Sequence, residues 1–276
     1  MTKMIRKTLL AVAVTAVCAL GSTAAMAQSA LFPDFTIDPT GLNANFTADK
    51  MTGNYVEIAT FNPGNTFNVS LYWKAAAFVA NDGTSQLDAG RTGLGVDYGI
   101  YALYTANGTY TTTGTGTTAS TTFNFTPGTG SLAVYLDPNR DTVYTAGASG
   151  PFVTSGTAGD IVLANGAPLA GQGTLNPSLP TCGAGGGSGI NCGSFGSTTS
   201  FVLTNAGSGF FVAPSPFYQL SFQSGQLNNF TPEGRQVING SLDVAFGNVP
   251  EPASIALLGL GLVGLGLSRR RTSKKA

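Results

Sequence analysis

Residues 66–73, Thr-Phe-Asn-Val-Ser-Leu-Tyr-Trp, decide the fold class. Every second side chain is large and apolar, and this period of two is typical of a strand with one buried face. The residues 54–60 just before it (Asn-Tyr-Val-Glu-Ile-Ala-Thr) also have strand composition, and the cluster Asn62-Pro63-Gly64-Asn65 between them favours a turn. The stretch therefore predicts one strand of an antiparallel sheet.

Strand-like segments recur along the rest of the chain, separated by turn residues: 75–80, 96–104, 120–126, 131–136, 160–164, 200–204, 217–223 and 236–246. No stretch between them combines a helical period with capping residues, and 86–95 is the nearest to a short helix. About ten short strands without intervening helices predict an all-β fold, an antiparallel β-sandwich or jelly roll. A barrel or a solenoid remains a further alternative.

Two segments are low in complexity. Residues 108–122 are rich in Thr and Gly and lack Pro, which favours a long hairpin over a glycosylated stalk. Residues 165–200 are rich in Gly, Ser and Pro and are expected to form a long surface excursion.

Composition excludes several function classes. The 276 residues include no His, which removes the usual zinc ligand and the base of a Ser-His-Asp triad. Only 9% of residues are charged, against about a quarter in ordinary domains. The formal charge of zero hides an acidic body, because residues 28–268 carry five basic and thirteen acidic side chains and a net charge of −8. Nucleic acid is therefore not an expected partner, and no cofactor is predicted.

The first 27 residues predict a signal helix for secretion. A basic start precedes the apolar run 9–20, whose 12 residues fall short of the roughly 20 that span a bilayer. Cleavage by signal peptidase is predicted at the A-x-A site formed by Ala25 and Ala27, before Gln28.

The last 27 residues, 250–276, predict a membrane-directed tail. Pro250, Glu251 and Pro252 are followed by 253–267, fifteen residues without a charge, and then by Arg269, Arg270 and Arg271. Such a run can just cross a bilayer as a helix, with the basic cluster on the cytoplasmic side. The exported domain then comprises residues 28–249.

Together with the signal peptide, this tail resembles the sorting signal of PEP-CTERM proteins. The resemblance implies a Gram-negative bacterium that makes exopolysaccharide. It also implies that the protein enters the inner membrane transiently, is processed by exosortase, and reaches the cell surface or the extracellular matrix.

The body is also similar to the flocculation-associated PEP-CTERM subgroup, through residues 32–39 (FPDFTIDP), 46–57 (FTADKMTGNYVE) and 135–139 (YLDPN). This second resemblance implies a role in cell aggregation, floc or biofilm formation with exopolysaccharide.

Cys182 and Cys192 are the cysteines that remain after signal cleavage. In an exported protein, an even pair close in sequence predicts a disulfide.

Metal and catalytic chemistry are weakly supported. Asp137, Asn139 and Asp141 are spaced like the opening of a calcium loop, but the glycine and glutamate that complete such a loop are missing. Asp-Pro-Asn is also an ordinary turn sequence. A secreted hydrolase would need paired carboxylates, for which Glu57 and Glu233 are the candidates. Neither lies in a motif, and the sequence predicts a protein that is not an enzyme.

Two binding interpretations stay open beside the aggregation role. A carbohydrate-binding module could use a platform of aromatic rings, although rings at strand spacing are more often core: Tyr72, Trp73, Tyr98, Tyr101, Tyr104 and Tyr110. A structural coat subunit is the other. Asn-x-Ser/Thr sequons begin at six positions, several inside predicted strands: Asn45, Asn68, Asn107, Asn124, Asn229 and Asn239.

Overall fold

Strands account for most of the structure, a computed structural model that describes residues 32–39, 44–146, 151–182 and 191–248. The predicted signal peptide and the predicted membrane-directed tail lie outside these ranges. Within them, no helix is long and apolar enough to cross a membrane.

Sixteen strands are present in the described part of the chain: β1 Phe35–Ile37, β2 Phe46–Ala48, β3 Lys50–Asn62, β4 Thr66–Ala80, β5 Ser85–Gln86, β6 Gly99–Thr113, β7 Ser120–Asp137, β8 Val143–Ala146, β9 Phe152–Ser155, β10 Ile161–Gly166, β11 Pro168–Leu175, β12 Gly193–Ser200, β13 Val202–Leu203, β14 Phe211–Ala213, β15 Leu220–Leu227 and β16 Gly234–Gly247. Two short helices join them, α1 Ala89–Thr92 and α2 Asn205–Phe210, with 3-10 turns at Gly116–Thr118 and Pro180–Cys182. The all-β prediction is confirmed.

The main sheet closes on itself. Its neighbours follow the order β11, β12, β15, β16, β3, β4, β6 and β7, and β7 pairs again with β11 through Thr121–Asn124 and Gln172–Leu175. All of these pairings are antiparallel. Eight strands therefore form a closed cylinder, and β10 and β13 extend the sheet beside the second half of β7.

Several predicted strands are parts of longer ones. The segments 66–73 and 75–80 are one strand, β4, and 120–126 and 131–136 are both in β7. The Thr-rich segment 108–122 is the tip of the β6–β7 hairpin, as predicted, with Thr113 opposite Ser120.

The prediction of a surface excursion for residues 165–200 is wrong over most of its described length, because β11 and β12 are wall strands of the cylinder. Their small residues leave room for rings inside. A Cβ on Gly171 would lie 2.6 Å from the ring of Phe125, and one on Gly173 would lie 3.0 Å from the Cβ of Phe195. Glycine in these strands thus marks close packing of aromatic side chains.

The core lies inside the cylinder and is rich in aromatic rings. Tyr55 and Trp73 are 1% and 2% exposed, and the Trp73 Nε1 donates a hydrogen bond to the Leu242 carbonyl at 3.1 Å. Burial of apolar side chains such as these is the main favourable contribution to folding.

Phenylalanine clusters fill both ends of the cylinder. At what we call the β16 end, a small sheet of β14, β1 and β2 carries Phe35, whose ring centroid lies 5.0 Å from that of Phe246. At the opposite end, the hairpin end, Phe61 packs against Phe67 and Phe230 with centroids 6.1 and 5.9 Å apart.

The predicted disulfide is confirmed: Cys182 and Cys192 are bonded, with Cα atoms 4.3 Å apart. Both residues are buried, and the backbone N–H of Cys192 donates to the Leu227 carbonyl at 2.8 Å. The disulfide therefore ties the start of β12 to the segment that follows β11.

Replacing both cysteines with serine should lower the free energy of unfolding by about 3 kcal/mol, because the open chain regains the entropy of a short loop. Urea unfolding followed by circular dichroism would measure this loss. The native protein in reductant should lose stability similarly, whereas the double variant should not respond to reductant. Equal unfolding midpoints for the native protein and the double variant would contradict the prediction.

Candidate functional site

The interior of the cylinder is nearly full. Two cavities inside it measure about 30 and 20 Å³, which is room for one or two water molecules. A ligand of sugar size must therefore bind on the outside of the described domain.

Most of the predicted aromatic platform belongs to the core. Trp73, Tyr98 and Tyr104 are buried, and the hydroxyl groups of Tyr98 and Tyr104 hydrogen-bond the Thr92 carbonyl at 2.8 Å and the Ser197 hydroxyl at 3.0 Å. Tyr110 packs edge-on against the ring of Phe61 at the hairpin end. These four residues do not form a surface for stacking sugars.

Glu57 points into the cylinder. It lies opposite Leu71 on β4 and Ile238 on β16, and it lines the 20 Å³ cavity together with phenyl rings. Glu57 is 7% exposed, and burial raises its pKa to about 8. Glu233 is exposed before β16, so the two glutamates do not face a common site.

The segment from Asp137 to Asp141 forms a turn. The two carboxylate oxygens of Asp137 accept the backbone N–H groups of Arg140 at 2.6 Å and Thr142 at 3.1 Å. The Asn139 amide donates to the Ala158 carbonyl, and Asp141 is exposed. The three candidate calcium ligands thus do not converge, and within the described ranges no group of three or more His, Cys, Asp or Glu residues could hold a metal ion.

Polar uncharged side chains form rows across the outside of the cylinder. One row follows the register Thr111, Thr122, Thr174, Ser194 and Gln226. The next follows Asn62, Thr66, Thr109, Asn124 and Gln172. We call these ten residues the hydroxyl–amide rows. They present donors and acceptors without formal charge, and the Gln172 amide donates to that of Asn124 at 3.1 Å.

Sequence patterns indicated that hydroxyl and amide groups are abundant but not that they align. Alignment depends on the strand register, which brings β11 and β12 beside β7 and β15. Four sequon asparagines also lie exposed on the outer face of strands: Asn68, Asn107, Asn124 and Asn239.

A strip of tyrosines lies on the outer face of β4, β6 and β7 and continues onto β8. The ring centroids of Tyr144 and Tyr72 are 4.5 Å apart, those of Tyr72 and Tyr101 are 5.6 Å apart, and those of Tyr101 and Tyr135 are 4.8 Å apart. We call these four residues the tyrosine strip. Two of them, Tyr72 and Tyr101, belong to the predicted platform; Tyr135 and Tyr144 do not.

The β8–β9 hairpin covers part of this strip. Phe152 of β9 is buried against it, and its backbone N–H donates to the Ser70 hydroxyl at 3.2 Å. The Tyr101 hydroxyl donates to the Asp160 carboxylate at 2.6 Å, which also accepts from the Thr142 hydroxyl at 2.9 Å.

An open trough of about 600 Å³ runs between β8 and the outer face of β3 and β4. Its floor and wall are formed chiefly by Asn54, Tyr72, Lys74, Ala76, Val143 and Tyr144. No sequence signal indicated this trough, because it depends on the return of the β8–β9 hairpin over the sheet.

Comparison with protein families gives one finding: residues 248–271 match the PEP-CTERM protein-sorting motif. The match contains Pro250, Glu251 and Pro252 as well as Arg269, Arg270 and Arg271. The chain therefore carries the predicted PEP-CTERM signal, which implies export, processing by exosortase after transit through the membrane, and a place at the cell surface. No curated protein and no solved structure matches the chain.

Proposed function

We propose that this exosortase-sorted surface protein holds cells and exopolysaccharide together, and so promotes aggregation in flocs or biofilms, without acting as an enzyme. The observation that carries the proposal is the set of hydroxyl–amide rows on the outer face of the cylinder. It agrees with the resemblance of the body to flocculation-associated proteins.

The chemistry of these rows suits a polysaccharide. Hydroxyl and amide groups both donate and accept hydrogen bonds, as sugar hydroxyl groups do. Each such bond contributes only about 1 kcal/mol because water competes for the same groups. A long polymer that meets several rows on several protein copies gains strength from multivalency instead.

The route to the surface follows from the two ends of the chain. In this proposal signal peptidase cleaves between Ala27 and Gln28 during export. Exosortase then processes the tail 250–276, which belongs to the sorting motif that begins at residue 248, directly after the end of β16 at Gly247. The domain is delivered outside the cell, where exopolysaccharide is its partner.

A carbohydrate-binding module that recognises a defined glycan is the second candidate. The tyrosine strip and its trough favour it, since concave sites with a few polar groups are typical of small-ligand binding. The two functions are compatible, because a matrix protein can bind one sugar unit specifically and the rest of the polymer loosely.

Deleting the gene should abolish cell aggregation, and the full-length chain supplied in trans should restore it. A chain that ends at Asn248 should fail to restore aggregation, since it lacks residues 249–271 of the sorting motif. Floc size and sedimentation rate measure the effect. Normal flocs in the deletion strain would contradict the proposal, and rescue by the shortened chain would contradict the role of sorting.

A further inference from the structure

We propose that the trough between β8 and the sheet binds an anionic sugar unit, one that carries a carboxylate, within the matrix polysaccharide. This inference rests on the proposed function and names the ligand class for one part of the surface. It commits to a uronate-type residue because the trough combines an aromatic ring, a cation and an amide.

The shape of the trough allows a sugar to enter from the side. Its volume of about 600 Å³ lies within the range of pockets that hold small ligands. Ala76 is a small, exposed residue among those that line it, and the β8 residues Val143 and Tyr144 form the raised wall.

Tyr144 supplies a ring for stacking. The residue is 42% exposed, so part of the ring is free for a ligand. Tyr72 contacts it with a centroid distance of 4.5 Å, and Phe152 packs edge-on at 5.5 Å. These two contacts fix the orientation of the ring before any ligand binds, which lowers the entropy cost of binding.

Lys74 supplies the charge. It is exposed on the floor of the trough, and no carboxylate of the described residues lies within ion-pair distance of its Nζ. Lys50, on the neighbouring strand β3, is by contrast bound to Asp243 at 2.9 Å. This available cation favours an anionic group of the ligand at this position.

Asn54 lies directly opposite Lys74 in the β3–β4 register and also lines the trough. Its amide can donate and accept hydrogen bonds with sugar hydroxyl groups. The carboxylates nearest the covered side of the strip, Asp137 and Asp160, already accept hydrogen bonds from Arg140, Thr142 and Tyr101. Lys74 is the charged residue among the described residues that line the trough, and it would therefore select the charge of the ligand.

Titration calorimetry of the full-length chain with two linear uronates, oligogalacturonate and oligomannuronate, tests the inference. We expect at least one to bind saturably, and its carboxyl-reduced form of equal length to bind about tenfold more weakly or worse. Lys74→Gln and Tyr144→Ala should each weaken binding of the acidic oligomer about tenfold. The matched control Arg91→Gln removes an exposed cation elsewhere and should leave binding unchanged.

Equal binding of acidic and reduced oligomers would overturn the inference, as would native affinity in Lys74→Gln or no binding of either uronate by the native chain. Circular dichroism confirms that each variant is folded. Aggregation of the deletion strain, compared with the calorimetry of Lys74→Gln, separates the two proposals. If the deletion strain fails to aggregate while calorimetry shows no role for Lys74, the inference fails and the proposed function stands.

Discussion

Replacing Glu57 with glutamine should stabilise the protein by about 5 kcal/mol above pH 8 and leave its stability nearly unchanged at pH 4. Burial raises the pKa of Glu57 to about 8, whereas a glutamate in an unfolded chain titrates near 4.3. The folded state therefore holds a proton that the unfolded state releases. The favourable contribution of the neutral carboxyl is complete below about pH 4.3 and is lost as the pH rises to about 8.

Urea unfolding from pH 4 to pH 9 would measure this effect, with Glu233→Gln as the matched control. Glu233 is exposed, so its replacement should change stability by less than about 0.5 kcal/mol at every pH. Parallel stability curves for the native protein and Glu57→Gln would show that the buried carboxyl is not the cause.

Replacing Trp73 with alanine should lower the free energy of unfolding by about 4 kcal/mol. The indole is 2% exposed inside the cylinder, and its loss leaves a large cavity and removes the donor to the Leu242 carbonyl. Thermal and urea unfolding followed by circular dichroism would measure the change. Loss of glycan binding in this variant would therefore report unfolding rather than the loss of a sugar-stacking ring.

Tyr144→Ala is the matched control for Trp73→Ala, since it also removes an aromatic ring but one that is 42% exposed. We expect it to cost about 1 kcal/mol or less. A loss below about 1.5 kcal/mol for Trp73→Ala would contradict the central place of the indole in the core.

The alternation in residues 66–73 was enough to predict the fold class, because a period of two places one face of a strand in the core. The disulfide was equally accessible from the spacing and the export signal. Both predictions depend on local features of the sequence, namely the alternation of apolar residues and the short spacing of two cysteines.

The closed sheet and the trough could not be predicted in the same way. β11 and β12 lie in a segment rich in glycine, serine and proline, a composition that predicts a surface excursion. Yet Gly171 and Gly173 of β11 lie against Phe125 of the neighbouring strand β7 and Phe195 of the neighbouring strand β12. The trough likewise needs Tyr144 to return over Tyr72, seventy-two positions earlier in the chain. Both features depend on how segments far apart in the sequence pack against each other. The composition of a single segment does not indicate that packing.

The end of β16 determines how mechanical load would pass through the domain. The sorting motif begins at residue 248, directly after Gly247, and β16 is hydrogen-bonded to β3 on one side and β15 on the other. A pull from that side acts along the strand, so the many hydrogen bonds between Gly234–Val244 and β3 are sheared together instead of being opened one after another. A force applied at the end of β16 would therefore be opposed by the hydrogen bonds of this strand to both β3 and β15.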